Sequence, residues 1–180
     1  MTDTSPNSPL TASAFLATSL DGFIARPDGG LDWLLGPGEG LGDTGYDDFF
    51  ASVDSMLTGR ATYDIVREFD VYPYAGKRVL VLSTTLDDVD WPDASVSRSL
   101  DDALATLAAE NRRHVYVDGG TVVQQFIRAG LLDDLTVSVA PVLIGSGIPL
   151  FGELEHDVPL ELVRTRDLGS GFTQSTYKLR

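Results

Sequence analysis

Three short segments of the chain place glycine, hydroxyl or basic residues directly after a predicted strand. These segments are Gly59-Arg60-Ala61-Thr62, Ser83-Thr84-Thr85 and Asp118-Gly119-Gly120-Thr121. The first and third also open a predicted helix, whose N-terminus offers unpaired N–H groups and the positive end of the helix dipole, while glycine lets the backbone approach a phosphate. One such segment alone is more often a tight strand-to-helix turn. Three at consecutive strand ends indicate a pyrophosphate site, with Arg60 as its cation.

The glycine motifs of the common nucleotide-binding folds are absent from the sequence. Gly145-Ser146-Gly147 follows a predicted strand, but the third glycine is missing and Pro149 comes two residues later. The Gly-Lys-Ser/Thr of a P-loop does not occur either. A dinucleotide site in this chain therefore requires a different fold.

The composition excludes several classes of function. The formal net charge of −14 disfavours nucleic acids and anionic membranes, so an anionic cofactor has to be held by local arginines or backbone N–H groups. The chain has no cysteine, which excludes disulfides, thiolate catalysis and Cys-ligated zinc. The two histidines, His114 and His156, are isolated, so we expect no metal site. With no apolar run that could cross a bilayer and no signal peptide, we expect no membrane partner and a cytoplasmic location.

The hydrophobic pattern predicts strands that alternate with helices. Predicted strands cover residues 13–20, 53–58, 79–82, 115–117 and 135–139, and predicted helices cover 46–52, 59–69, a segment capped by Ser99, and a segment around 122–127 that ends at Gly130. Two further strands, 160–166 and 172–179, predict a closing antiparallel hairpin. After a disordered tail over 1–11, residues 12–180 are predicted to form one α/β domain with a mostly parallel sheet, whose ligands bind at the carboxyl ends of the strands.

The order and spacing of six segments resemble those of the dihydrofolate-reductase-like superfamily. The segment Met56-Leu-Thr-Gly-Arg-Ala-Thr-Tyr63 is similar to the family's phosphate turn, and the others span 18–25, 81–84, 98–103, 118–120 and 141–151. The nearest resemblance is to the reductase domain of the riboflavin-biosynthesis deaminase–reductase, from Ala14 to the C-terminus. It implies a three-layer α/β/α fold and hydride transfer from NADPH to a pterin or a pyrimidine such as 5-amino-6-(5-phosphoribosylamino)uracil.

The resemblance also implies roles for individual residues toward NADPH. Ala17, Ile24 and Ala25 would line the nicotinamide, and Gly59, Arg60 and Thr62 would bind the pyrophosphate and the adenosine side. Leu82, Ser83, Thr84 and Arg98 would lie at the adenosine end, where the basic and hydroxyl groups favour NADP over NAD. Gly119, Gly120, Thr121, Val122 and Val123 would cover the nicotinamide and the pyrophosphate, and the family carries a cis peptide between the two glycines.

The substrate half of the site is less defined by the sequence. Asp21, Asp47 and Asp48 are the candidate catalytic carboxylates, although Asp21 is equally a turn residue before Gly22 and the other two suit the start of a helix. Trp33 and Phe50 are the candidate substrate contacts, and Trp33 could equally pack a loop. The chain lacks the cysteines of a zinc deaminase half and the Asp-Asp-Pro segment of the riboflavin enzyme. It is therefore identified as a stand-alone relative with an unassigned substrate.

Two functions of different classes follow from this pattern. The first is an NADPH-dependent reductase of a pterin- or pyrimidine-type molecule, and the alternative is a non-catalytic NADP(H)-binding redox sensor. The sequence also predicts a homodimer, because the segment 139–151 carries no charge and is more easily explained if a partner or the core covers it.

Overall fold

A computed structural model of the chain describes residues 10–35 and 41–180. Its strands are β1 (Thr11–Thr18), β2 (Phe23–Ala25), β3 (Ser55–Gly59), β4 (Arg78–Leu82), β5 (Ala94–Ser97), β6 (His114–Asp118), β7 (Asp134–Val139), β8 (Ile148–Pro149), β9 (Leu160–Gly169) and β10 (Phe172–Leu179). Its helices are α1 (Asp32–Leu35), α2 (Tyr46–Ser52), α3 (Arg60–Val66), α4 (Leu100–Ala109) and α5 (Gly120–Arg128).

The main sheet has eight strands in the order β5-β4-β3-β6-β1-β7-β10-β9. Every pair from β5 to β7 is parallel, whereas β10 is antiparallel to both β7 and β9. This arrangement confirms the predicted α/β class with its mostly parallel sheet and closing hairpin. β2 and β8 form a separate small antiparallel sheet.

The two faces of the central strands bury two different clusters of apolar side chains. Successive residues of a strand point to opposite faces, so Leu57 of β3 packs in one cluster and Met56 in the other. The first cluster includes Leu107 of α4 and Phe126 of α5, and the second includes Tyr63 of α3. Apolar residues on both faces explain why β4 and β6 contain the continuous apolar runs Val79–Leu82 and Val115–Val117.

The predicted elements are present, with shifted ends. β1 begins at Thr11 rather than at Ser13, so the last residue of the predicted tail belongs to a strand, and residues 1–9 of that tail lie outside the described residues. Ser99 caps α4 as predicted, because its Oγ accepts a hydrogen bond of 3.1 Å from the Asp102 amide. The elements that sequence reasoning missed are β2, α1, β5 and β8, which have two to four residues each. Such segments are too short to show a period.

The turn between β6 and α5 differs from the one that the family resemblance implied. No cis peptide bond occurs among the described residues, so the Gly119–Gly120 bond is trans. Gly119 instead takes φ +87° and ψ 136°, a conformation that glycine adopts without the clash that a Cβ would cause. This positive φ turns the chain from the strand into the helix.

In the described part of the chain, no helix is both long enough and apolar enough to cross a membrane. The uncharged segment 139–151 is partly covered, because Ala140 and Leu150 are buried while Leu143 and Phe151 are exposed. The homodimer stays a prediction.

The first turn of α5 is packed tightly against β8. A Cβ on Gly120 would lie 2.5 Å from the Pro149 carbonyl oxygen and 3.2 Å from Ile24 Cδ1. We therefore expect Gly120→Ala to lower the free energy of unfolding by about 1–3 kcal/mol, as overpacking does elsewhere. Urea denaturation measures this change. Gly42→Ala is the matched control, since a Cβ there meets nothing within 4 Å. Equal losses in the two variants would contradict the predicted overpacking.

Candidate active site

A cavity of about 440 Å³ opens at the carboxyl ends of β3, β4 and β6. We call it the strand-end cavity. All residues of the three predicted segments except Asp118 line it, together with residues of neighbouring elements. The full lining is Ile24, Ala25, Gly59, Arg60, Ala61, Thr62, Ile65, Leu82, Ser83, Thr84, Thr85, Arg98, Gly119, Gly120, Thr121, Val122 and Ile148. The parallel sheet therefore brings together at one edge the residues that are separate in the sequence.

Two helices begin at this cavity without a side-chain cap. The N-cap positions are Gly59 for α3 and Gly119 for α5, and neither helix shows a side-chain hydrogen bond to its first turn. In α4, by contrast, the Ser99 side chain occupies that place. Uncapped first-turn N–H groups together with the positive ends of two helix dipoles suit an anion.

Two arginines supply positive charge to the strand-end cavity. The Arg60 side chain is 47% exposed, with Nε 3.2 Å from Asp64 Oδ2 and Nη1 donating to Thr85 Oγ1 at 3.2 Å. Arg98 Nη1 donates to the carbonyl oxygens of Ser83 and Leu86 at 3.1 and 2.6 Å. These contacts leave other guanidinium N–H groups of both residues available to a ligand, because each guanidinium carries five donors.

The Ser83 hydroxyl is fixed by its own loop. Its Oγ accepts hydrogen bonds from the amides of Thr85 and Leu86 at 3.3 and 3.0 Å. Since both contacts use the oxygen, the O–H remains available as a donor beside the two arginines.

Two smaller cavities continue from the strand-end cavity. The inner cavity, of about 280 Å³, shares Ile24, Ala25, Thr62, Ile65 and Gly119 with it. The outer cavity, of about 230 Å³, shares Phe15, Leu16, Ala17 and Leu34 with the inner one. The three spaces therefore form one row, and the character of the lining changes from glycine and hydroxyl residues to apolar and aromatic residues along it.

Asp118 is the charged residue among those that line the inner cavity. It ends β6 and lies on the same face of that strand as Tyr116, two residues earlier. Burial raises the pKa of Asp118 to about 6, against a smaller lowering by the Gly119 amide that donates to it. The carboxyl group therefore titrates close to neutral pH, which suits a group that has to hold and release a proton.

Three tyrosines lie near enough to Asp118 for its negative charge to affect their pKa. Burial, followed by the negative charge of Asp118, raises the pKa of Tyr46 to about 12, and the same two causes raise the pKa of Tyr74 and Tyr116. The phenol groups therefore stay protonated at neutral pH. The Tyr116 hydroxyl donates to the Phe15 carbonyl oxygen at 2.8 Å, which fixes its ring beside the inner cavity.

The residues predicted to contact NADPH fall almost entirely in one place. All of them line the strand-end cavity except Ala17 and Val123. Ala17 lines the inner and outer cavities, next to the strand-end cavity. Val123 is fully buried in the apolar cluster between α5 and the sheet, because it points away from the cavity on the inward face of the helix.

The three carboxylates predicted to be catalytic lie elsewhere, and none of them lines the three cavities. Asp21 accepts hydrogen bonds from the amides of Ile144 and Gly145 at 3.2 and 2.7 Å. A hydrogen bond from Ser19, together with those two amides, lowers the pKa of Asp21. Asp47 and Asp48 are exposed on the first turn of α2. In the structure Asp21 joins two loops, whereas Asp118 is a carboxylate that lines one of the cavities.

The two aromatic residues predicted to contact substrate also lie outside the cavity walls. Trp33 is buried in a cluster with Ala140, Leu168 and Phe172, and its Nε1 has no hydrogen-bond partner. Phe50 packs on Tyr46, with ring centroids 5.8 Å apart, and lies under the Lys77 ammonium. Phe15, Tyr46, Tyr74 and Tyr116 supply the aromatic surface instead.

Sequence reasoning missed Asp118 although it had marked the segment. The signal was a carboxylate at the last position of a buried strand, directly before two glycines. The segment was interpreted only as a phosphate turn. No group of three or more metal-ligating side chains occurs in the residues that the structure describes.

The fold is that of an α/β protein of the dihydrofolate-reductase-like class. The dihydrofolate reductase of Enterococcus faecalis shares this fold, with a TM-score of 0.66 at 21% identity over 94% of this chain and 96% of that one. Residues 11–174 match the family of the RibD C-terminal domain, and the chain belongs to that family.

Two relatives are similar over nearly their full length. A putative riboflavin biosynthesis protein from Shewanella sp. PV-4 is 36% identical, with a TM-score of 0.86, and the match covers 95% of this chain and 99% of that one. The uncharacterized protein YwjB of Bacillus subtilis is 38% identical over 160 residues, which are 86% of this chain and 90% of YwjB. These likenesses confirm the predicted resemblance to a reductase domain and to stand-alone relatives.

The raised pKa of Asp118 has a consequence for stability that does not depend on any ligand. The folded state resists ionisation of this carboxyl until about pH 6, while the unfolded chain ionises near 3.8. Its contribution to the free energy of unfolding is therefore fully present below the lower value and is lost as the pH rises to the upper one. We expect Asp118→Asn to stabilise the protein by roughly 1–3 kcal/mol near pH 7.5 and to have little effect near pH 4.

Urea denaturation of Asp118→Asn and of the parent at the two pH values measures this difference. Asp47→Asn is the control, because it removes the same charge from an exposed position. If the free energy of unfolding rose equally for both variants, or equally at both pH values, the pKa of the Asp118 carboxyl would not be raised in the folded state.

Proposed function

We propose that this protein is an NADPH-dependent reductase that acts on a small planar molecule held in the inner cavity. The observation that carries the proposal is the arrangement of one continuous cleft. Two uncapped helix N-termini and two arginines lie at one end, and a protonatable carboxyl in an aromatic cavity lies at the other. A cofactor bound at the first end can transfer a hydride to a substrate at the second end only if the two ends adjoin, as they do here.

The residues of the strand-end cavity fit an anionic dinucleotide. The first turns of α3 and α5 would hold the pyrophosphate. The space between the two turns depends on glycine at position 119, because a Cβ there would lie 2.8 Å from Thr62 Oγ1. Arg60, Arg98 and the Ser83 hydroxyl would hold a 2′-phosphate. The apolar side chains of Ile24, Ala25 and Ile148 would exclude water from the nicotinamide end. When bound, NADPH supplies the hydride.

Asp118 supplies the proton in this proposal. Reduction of a C=N or C=O group needs one proton besides the hydride, and a carboxyl that titrates near pH 6 can hold that proton in the inner cavity. Tyr116, which donates to the Phe15 carbonyl, keeps the wall beside the carboxyl in place. The aromatic rings that line the inner cavity would orient a planar substrate and keep bulk water from the reacting atoms.

The alternative, a protein that only senses NADP(H), uses the strand-end cavity alone. It gives no role to a carboxyl that is kept partly unionised in the next cavity. The reductase explains both halves of the cleft, and for this reason we favour it.

Cofactor selectivity tests the first half of the proposal. Arg60→Ala and Arg98→Ala are each expected to weaken NADPH binding about 10- to 100-fold, because a charge-assisted hydrogen bond contributes about 1.5–3 kcal/mol. NADH binding should change little, because NADH has no 2′-phosphate. Isothermal calorimetry with both cofactors measures the effect. Arg67→Ala is the control, since Arg67 pairs with Glu68 and lies over the Tyr63 ring, outside the cavity wall. Equal losses for NADPH and NADH would contradict the 2′-phosphate assignment.

The pH dependence of turnover tests the second half. If Asp118 donates its proton, kcat should be level below about pH 6 and should fall about tenfold per unit above it, as the carboxyl ionises. Asp118→Asn should lower kcat by about 10²–10⁴-fold and remove this fall, while NADPH affinity stays unchanged. The measurement is NADPH oxidation at 340 nm against a panel of about twenty pterins, pyrimidines and small carbonyl compounds. Asp47→Asn should behave as the parent does; a full rate for Asp118→Asn would exclude Asp118 as the donor.

A further inference from the structure

The charges around the inner and outer cavities restrict what those cavities can hold. We propose that the substrate is an unphosphorylated planar heterocycle, neutral or cationic, and that phosphorylated forms of the same heterocycle are rejected. The inference rests on the proposed reductase function, because only a reductase would make the bound heterocycle a substrate. The ligand preference itself can be measured without turnover.

The inner cavity contains one charged side chain and that charge is negative. Apart from Asp118, the residues that line it are apolar, aromatic or uncharged: Phe15, Leu16, Ala17, Ile24, Ala25, Leu31, Leu34, Thr62, Ile65, Val66, Phe69, Tyr74, Tyr116 and Gly119. The outer cavity is lined by Phe15, Leu16, Ala17, Leu34, Leu41, Thr44, Tyr46, Ser138, Leu168 and Phe172, and none of these side chains is charged. A phosphate dianion in either space would meet no cation in the wall.

All thirteen lysines and arginines of the sequence can be placed relative to these cavities. None falls in residues 1–9 or 36–40, so all of them belong to the described part of the chain. Arg60 and Arg98 line the strand-end cavity, and no other lysine or arginine lines any of the three spaces. Positive charge is therefore confined to the end where the cofactor would bind.

Arg166 approaches the outer cavity from behind its wall. Its Nη2 donates to the Thr44 carbonyl oxygen, and its Nε donates to Gln174 Oε1 at 2.7 Å. Gln174 is itself fully buried and donates to Ser138 Oγ at 2.9 Å and to the same Thr44 carbonyl at 3.1 Å. The guanidinium is thus part of the packing that forms the wall, and turning it toward a ligand would break this network.

The helix that begins beside the outer cavity does not offer an anion site either. α2 starts after Gly45, whose amide donates to Asp43 Oδ1 at 2.7 Å. Asp47 and Asp48 follow in its first turn. Three carboxylates at the positive end of a seven-residue helix offset its dipole and repel a further negative group.

The energetic consequence favours uncharged rings. Moving a phosphate from water into an apolar space without a partner is costly, and its repulsion by ionised Asp118 adds to this cost. A neutral or protonated heterocycle loses little hydration, gains contact with the aromatic wall and can share a proton with the carboxyl. The phosphoribosyl group that the family resemblance implied is therefore the part of that substrate which this site does not accommodate.

The test uses matched pairs of ligands that differ only in the phosphate. The probes are ribosides of aminouracil and of pterin and their 5′-phosphates, titrated by calorimetry into the full chain saturated with NADP⁺. We expect each riboside to bind at least about tenfold more tightly than its phosphate, since one uncompensated like-charge contact is worth about 1.4 kcal/mol or more. A phosphate that binds as tightly as its riboside, or a panel in which no riboside binds, overturns the inference.

Four variants identify the cause of the preference. Leu34→Arg adds a cation to the wall shared by the inner and outer cavities and should narrow the gap in affinity between each riboside and its phosphate. Leu34→Gln, of similar size and without charge, should not narrow this gap in affinity. Asp118→Asn, which does not depend on accepting a large side chain, should also narrow the gap. Arg166→Gln should leave it unchanged, and selective loss of phosphate binding in that variant would show that Arg166 turns to meet the ligand and would refute the proposal.

NADPH oxidation on the same panel separates this inference from the proposed function. Binding with the expected preference but without oxidation of NADPH by any member would reject the reductase and leave the ligand class standing. Oxidation that prefers a phosphorylated member would keep the reductase and reject the ligand class.

Discussion

The parallel pairing of β3 with both β4 and β6 is the constraint from which the site follows. In this register Thr58 lies opposite Val81 on one side and Asp118 on the other, so the chain leaves all three strands at the same level. Gly59 and Gly119 are then the next residues of their strands, and each begins a helix. A shift of one residue would move one helix N-terminus away from the other and would turn Asp118 to the opposite face of the sheet.

The same register places polar groups in an otherwise apolar layer. Thr58 is fully buried, its hydroxyl has no hydrogen-bond partner, and it pairs across the strands with Asp118. A buried orphan hydroxyl costs stability, and so does a carboxyl that resists ionisation. A purely structural core avoids polar groups of this kind.

The sequence was informative wherever the physics is local. Gly59, Ser83 and Gly119 were recognised because each stands at the end of a predicted strand, and the parallel sheet then brings them together by a general rule. Asp118 was overlooked because its proposed role depends on which face of β6 opens into a cavity, and that is decided by Tyr46, Tyr74 and Phe15 from distant parts of the chain. Asp21 was chosen for its position in a loop, but the two amides that hold it lie 123 and 124 residues away.

Those two hydrogen bonds link two loops that are remote in the sequence. The carboxylate of Asp21, in the turn after β1, holds the amides of Ile144 and Gly145 in the loop before β8, and the Leu150 amide donates back to the Gly22 carbonyl at 3.0 Å. Neither loop can lift away without breaking bonds to the other, so the two should open as one cooperative unit. The amide protons of Ile144, Gly145 and Leu150 would then exchange with solvent at a common rate, set by a single opening event at the edge of the cleft.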